Sequence, residues 1–218
     1  MPVRLQKGWS PQQLLHMLSN TQARNKDGWK KKNPLVSSST DIGPADRDEI
    51  VLWICQINSQ FHFHPETFFL AVNILDSFIT CVKAKPKYLK CIAISCLYLA
   101  SKVTEEEDVI PCTGELVEDS ECGCRVCDVL RMEKIILEKL SWDINSATPL
   151  DYLHIYLVLG CCHLSDLVTS VPLSVHSQHL IHQLKYLMCH YDVALFPSAV
   201  VALALLSIDL ESLTQDAA

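Results

Sequence analysis

The sequence predicts an all-helical fold, and three observations carry that prediction. Most prolines fall at the starts of apolar-periodic segments, where a missing N–H and a fixed φ suit the first turn of a helix. Apolar residues recur at three- and four-residue intervals through those segments. No Asn-Gly or Asp-Gly turn lies between two alternating runs, and only six glycines occur in 218 residues, which leaves little material for hairpins. A composition of 49% hydrophobic and 20% charged residues is that of a folded domain rather than a disordered chain.

Taken in order, Ser10-Pro11-Gln12-Gln13 supplies an N-cap serine, a proline at the first helical position and a capping-box glutamine, which open a short helix through about Leu18. From Asn20 to Gly43 the chain is polar and aperiodic, so residues 1–43 are read as a short helix and a linker. Pro44 opens a helix to about Phe61 with Ile50, Trp53, Ile54 and Ile57 on one face. Pro65 opens the next, with Phe68, Ala71, Val72, Leu75, Phe78 and Ile79 aligned. After Pro86, the stretch Cys91–Ala100 is apolar all round, the mark of a helix surrounded by others, and is read as the hub. The acidic run Glu105-Glu106-Glu107-Asp108 ends it, reads as exposed, and leads through Pro111 into a loop. Val129, Met132, Ile136 and Leu140 define the fifth helix, and these helices are read as one unit.

Thr148-Pro149-Leu150-Asp151 repeats the cap-then-proline start, and helices follow at about 149–159, 175–191 and 197–213. The small and aliphatic run Ala199–Ile208 echoes the hub, suggesting a second copy of the unit that stops after its third helix.

Charge and composition exclude several function classes. The net charge of -7 lacks the basic footprint that recruits phosphate backbones, and the short run Lys30-Lys31-Lys32 reads as a solvated linker, so no nucleic-acid partner is expected. The longest apolar run, Val193–Ile208, falls short of the ~20 residues of a membrane span and contains Pro197, so no membrane partner is expected. Eleven cysteines, an odd number set among apolar residues, read as reduced thiols. With no apolar leader at the N-terminus and no glycosylation sequon, an intracellular address is expected.

No glycine-rich phosphate loop, nucleophile elbow or zinc-protease motif is present, so no catalytic residue and no cofactor is assigned. The histidines, among them His62, His64, His176, His179 and His182, are dispersed and read as polar-face or cap residues. Cys122, Cys124 and Cys127, with Cys112 upstream, have Cys-x-x-Cys spacing compatible with zinc. A second, well-separated ligand pair is lacking, so the metal assignment is none and a small zinc module stays as an alternative.

Four segments then carry a resemblance: Arg47-Asp48-Glu49-Ile50-Val51-Leu52-Trp53, Leu70-Ala71-Val72-Asn73-Ile74-Leu75-Asp76-Ser77-Phe78, Leu99-Ala100-Ser101-Lys102 and Leu130-Arg131-Met132-Glu133. In order and spacing they resemble the cyclin box, a five-helix unit, over residues 44–145. Thr148-Pro149-Leu150-Asp151-Tyr152-Leu153-His154 is similar to the start of the family's second box, which leaves 146–218 as a partial, shortened second repeat lacking two helices. Pro65-Glu66-Thr67-Phe68 and Lys85-Pro86-Lys87-Tyr88-Leu89 look most like the cyclin I and G group.

The resemblance implies a regulator of a cyclin-dependent serine/threonine kinase in the cell cycle, not an enzyme, in nucleus and cytoplasm. It implies that Arg47 and Asp76 form an internal ion pair and that Lys102 and Glu133 hydrogen-bond to the kinase. It also implies a substrate-docking groove of Asp46, Glu49, Ile50, Trp53, Gln56 and Lys90. That groove is degenerate, because Asp46 and Glu49 stand where the family has Met and Ile, and Lys90 replaces a neutral residue. The alternative function is a cyclin-fold scaffold for a non-kinase partner such as a phosphatase subunit or transcription factor.

Overall fold

A computed structural model describes residues 11–25, 41–163 and 173–216. Ser10 and Lys30–Lys32 lie outside the described residues. Helices α1 (Pro11–Asn25), α2 (Pro44–Gln60), α3 (Pro65–Cys81), α4 (Leu89–Thr104), α5 (Thr113–Asp119) and α6 (Val126–Lys139) come first. Helices α7 (Pro149–His163), α8 (Leu173–Met188), α9 (Tyr191–Ala194) and α10 (Ser198–Asp216) follow, and no strand forms among the described residues.

Proline and a carboxylate start the helices as the sequence indicates. Pro44 is the first residue of α2, and Asp46 Oδ2 accepts from the Gly43 N–H at 2.8 Å, satisfying a donor that the helix itself leaves free. At α7 the capping is reciprocal: the Thr148 N–H donates to Asp151 Oδ2 at 2.9 Å while the Asp151 N–H donates to Thr148 Oγ1 at 3.3 Å.

Helix α4 is the hub. Every residue from Cys91 to Ser101 is buried, and the helix packs against α2, α3 and α6. Its apolar face alone does not account for Ser95, whose buried hydroxyl donates to the Cys91 carbonyl at 2.8 Å and to the Val129 carbonyl of α6 at 3.2 Å, so the polar group is partnered where it crosses the interface. Helix α7 buries Tyr152, Leu153, Ile155 and Leu157 and packs against α1, α8 and α10.

Several boundaries depart from the sequence reading. Helix α1 continues to Asn25 rather than stopping near Leu18, because Leu14 and Thr21 are buried as α1 lies against α7. The stretch after Pro111 is not simply a loop: it holds α5, capped by the Cys112 sulfur, which accepts from the Glu115 N–H at 3.5 Å. The helix read at 175–191 ends at Met188, and a separate four-residue helix, α9, follows. Helix α10 is unlike α4 in burial: Val201, Ala202 and Leu205 face the core, whereas Val200, Leu203 and Ile208 are exposed.

The acidic run is also not uniformly exposed. The Glu105 side chain is 2% exposed, and its Oε1 accepts from the His64 N–H at 2.7 Å and from the Thr67 hydroxyl. His64 sits at the N-cap of α3 without a side-chain cap, so a carboxylate from the end of α4 satisfies the free donor and complements the positive end of the α3 dipole.

Candidate functional site

Arg47 lies in the first turns of α2 with its side chain fully buried. Its Nε donates to Asp76 Oδ1 at 3.0 Å and its Nη2 to Asp76 Oδ2 at 3.0 Å, a bidentate pair between α2 and α3. Nη1 donates to Asp48 Oδ1 at 3.3 Å and to the Met188 carbonyl at 2.7 Å. Burial pulls the guanidinium pKa down, but the charge and hydrogen bonds of Asp76, with Asp48 adding, outweigh it and leave the group above its ordinary value. The structure therefore brings Arg47 and Asp76 together. It adds a partner that sequence patterning does not mark: Met188 is the last residue of α8, and its carbonyl is one of those a helix C-terminus leaves free.

Lys102 in the last turn of α4 and Glu133 on α6 also meet, Nζ lying 2.5 Å from Oε1. The sequence reading treats them as two charges that each face a partner; in the structure they neutralise each other. The pair sits at the surface, with Lys102 37% exposed and Glu133 14%. The Lys102 ammonium also lies 4.0 Å from the centre of the Tyr98 ring, one helical turn back on α4. Val103, beside Lys102, and Leu130, one turn before Glu133, are exposed apolar neighbours in the sequence.

Asp46, Glu49, Ile50, Trp53, Gln56 and Lys90 line a single open cleft of about 680 Å³ between α2 and the start of α4. The structure thus gathers all six residues assigned to the docking groove. Ile50 is buried, Trp53 is half-buried, and the Lys90 ammonium lies 5.8 Å from the Trp53 ring centre. The carboxylate of Asp46 is already engaged with Gly43, which leaves Glu49 as the exposed acid at this end.

Cys122 and Cys124 form part of the same wall. Burial first, and then the neighbouring Cys91 and Cys122 sulfurs, push the Cys124 thiol up to about 12. Cys124 neighbours Cys91 of α4, while Cys112 caps α5 and Cys127 is exposed beside Asp128. The four thiols of the zinc alternative do not converge, and among the described residues no group of three His, Cys, Asp or Glu side chains is placed to hold a metal ion. Of the histidines, His176 pairs through Nε2 with Asp209 Oδ2 at 2.9 Å, joining α8 to α10. No helix among the described residues is long and apolar enough to cross a membrane.

Comparison with known proteins places this geometry. The N-terminal domain of cyclins matches residues 15–145. Mouse cyclin-G2 is 40% identical over 148 residues, covering 68% of this chain and 42% of its own length. Human cyclin-I2 is 36% identical over 169 residues, covering 76% and 46%, and bovine cyclin-G1 is 35% identical over 186 residues, covering 82% and 61%. The chain thus spans from about two fifths to three fifths of the length of these relatives. The crystal structure of a viral cyclin from herpesvirus saimiri superposes with a TM-score of 0.69 at 17% identity, covering 90% of this chain and 82% of that one, which is a likeness of fold. With a helical box matching in sequence and the buried Arg47–Asp76 pair at its centre, the chain belongs to the cyclin family, in its G and I group.

Proposed function

We propose that this chain is a non-enzymatic regulatory subunit that binds a cyclin-dependent serine/threonine kinase through the surface around Lys102 and Glu133. In this reading residues 44–145 are the cyclin box, 146–218 are a partial second repeat, and the protein works in nucleus and cytoplasm. The observation that carries it is the placement of the two charges at the junction of α4 and α6, partly exposed, with exposed apolar Val103 and Leu130 close to them in sequence. Charges of this kind fix register while adjoining apolar surface supplies affinity.

Regulation follows from differential binding. The regulatory helix of such a kinase must swing inward to complete its Lys–Glu ion pair over ATP, and a subunit that contacts the inward form more favourably shifts the equilibrium toward it. A shift from mostly inactive to mostly active needs about 5.5 kcal/mol of differential affinity, which one surface ion pair does not provide, so the apolar rim must contribute.

A second reading, a scaffold for a non-kinase partner, is favoured by one feature: Lys102 and Glu133 already satisfy each other and demand no outside partner. Affinity capture with identification of the bound proteins decides between them. Recovery of a cyclin-dependent kinase that is lost on Lys102→Glu supports the regulatory reading, and recovery of other partners unaffected by that substitution supports the scaffold.

A further inference from the structure

The Lys102 ammonium is held from two sides. Glu133 Oε1 lies 2.5 Å away on α6, and the face of the Tyr98 ring lies 4.0 Å away on α4 itself. Tyr98 is 9% exposed within the core, and its hydroxyl accepts a hydrogen bond of 3.1 Å from Thr113 Oγ1, at the first residue of α5. The ring is thus fixed at both ends, by the α4 backbone and by the start of α5, and α4, α5 and α6 together define where the ammonium sits.

We infer that Tyr98, anchored by Thr113, is a positioning residue that preorganises Lys102 for its partner; this rests on reading Lys102 and Glu133 as the partner-facing pair. A partly exposed lysine loses much rotamer freedom when it is fixed in an interface. A ring face that already restricts the ammonium removes part of that loss before binding. Cation–π contact at an exposed site corresponds to a change of about two- to fivefold in an equilibrium constant. Glu133 alone does not do this, because a carboxylate accepts a rotatable ammonium over a broad range of directions, whereas the ring restricts it to one face.

The test separates positioning from packing. In the full chain with isotope-labelled lysine, the Lys102 Hε resonance, assigned through Lys102→Arg, is expected upfield of the lysines that face no ring, because the Lys102 ammonium lies 4.0 Å from the Tyr98 ring centre. Tyr98→Phe keeps the face and is expected to retain most of that shift. Thr113→Val releases the hydroxyl anchor and is expected to reduce it, and Tyr98→Leu is expected to abolish it. Against the kinase catalytic subunit recovered by affinity capture, Tyr98→Leu is expected to weaken binding about two- to fivefold and Tyr98→Phe less than about twofold.

An Hε resonance that is unshifted in the parent, or equally shifted in parent and Tyr98→Leu, overturns the inference. So does a Tyr98→Leu protein that loses the shift yet binds as tightly as the parent. Should Tyr98→Leu fail to fold, an unchanged shift and affinity in Thr113→Val overturn it equally. If no kinase is recovered at all, the kinase reading fails by itself, and the Lys102 resonance still decides whether Tyr98 positions the lysine.

Discussion

Arg47 and Met188 are 141 residues apart in sequence, and Arg47 Nη1 donates to the Met188 carbonyl at 2.7 Å. The guanidinium that ties α2 to α3 through Asp76 therefore also closes the C-terminal end of α8. One buried cation serves as a junction for three helices, and each of its three nitrogens donates: Nε and Nη2 to Asp76, and Nη1 to both Asp48 and Met188.

Breaking that junction on one side leaves an unpaired charge in the core. Asp76→Asn or Arg47→Ala is expected to destabilise the fold by about 3 to 5 kcal/mol in urea unfolding. Arg47→Lys recovers little, because an ammonium cannot form the bidentate fork and reach Met188 at once. Hydrogen exchange adds a specific signature: Arg47→Lys is expected to speed exchange at the C-terminal end of α8 more than at its start.

Glu105 acts as a cap supplied from another helix. Glu105→Ala is expected to lower stability by about 1 to 2 kcal/mol, as loss of a good N-cap does, because the His64 N–H loses its acceptor and the Thr67 hydroxyl keeps only Thr104 Oγ1. Glu106→Ala, at an exposed position, is the comparison and is expected to lie within about 0.5 kcal/mol of the parent by thermal melting.

Stability should fall on mild acidification through His154. Burial lowers its folded-state pKa, against a smaller upward pull from Glu66 and Asp151. The unfolded histidine, with an ordinary pKa of about 6.5, then takes up a proton that the folded one resists. Stability from this group is present above about pH 6.5 and is lost as pH falls from there toward the lower folded value. Urea unfolding at stepped pH should show that slope in the parent and a shallower one in His154→Gln.

The cleft lined by Trp53 is expected to dock only weakly the Arg-x-Leu peptides that the cyclin resemblance implies for such a groove. Glu49 can attract the arginine, but with Asp46 and Glu49 standing where the resemblance implies Met and Ile, apolar burial for the leucine is lost. Binding of such a peptide by isothermal calorimetry is expected to be weaker than micromolar. Micromolar binding lost on Trp53→Ala contradicts this.

The helices that frame the site are legible because their signals lie within each helix: Pro44 and Pro65 at first turns ahead of apolar-periodic faces, and the Thr148-Pro149-Leu150-Asp151 start. Helix α5 is not, since it is seven residues long and its cap is a cysteine, a residue with no cap signature. The burial of Glu105 escapes sequence reading for another reason: its donors, the His64 N–H and the Thr67 hydroxyl, lie about forty positions upstream, while its neighbours Glu106 to Asp108 are exposed. Composition gives Lys102 and Glu133 as isolated charges, and only the packing of α4 on α6 makes them a pair. Met188 takes part through its backbone, which no side-chain pattern encodes.

The most direct test of the account exchanges the two charges at the α4–α6 junction. Lys102→Glu sets two carboxylates side by side, and Glu133→Lys two ammoniums, so each single reversal is expected to weaken binding to the recovered kinase catalytic subunit by about 2 to 5 kcal/mol, beyond the ~1 kcal/mol of an exposed rim charge. Lys87→Glu, in the 3₁₀ turn before α4, is the control and should bind as the parent does. The double variant Lys102→Glu/Glu133→Lys rebuilds the internal pair with its polarity reversed. We expect it to recover the parent melting temperature but not the parent affinity, because the partner meets each charge where the other stood. A double variant that folds normally and binds the kinase as tightly as the parent would contradict the assignment of this pair as the kinase-facing site.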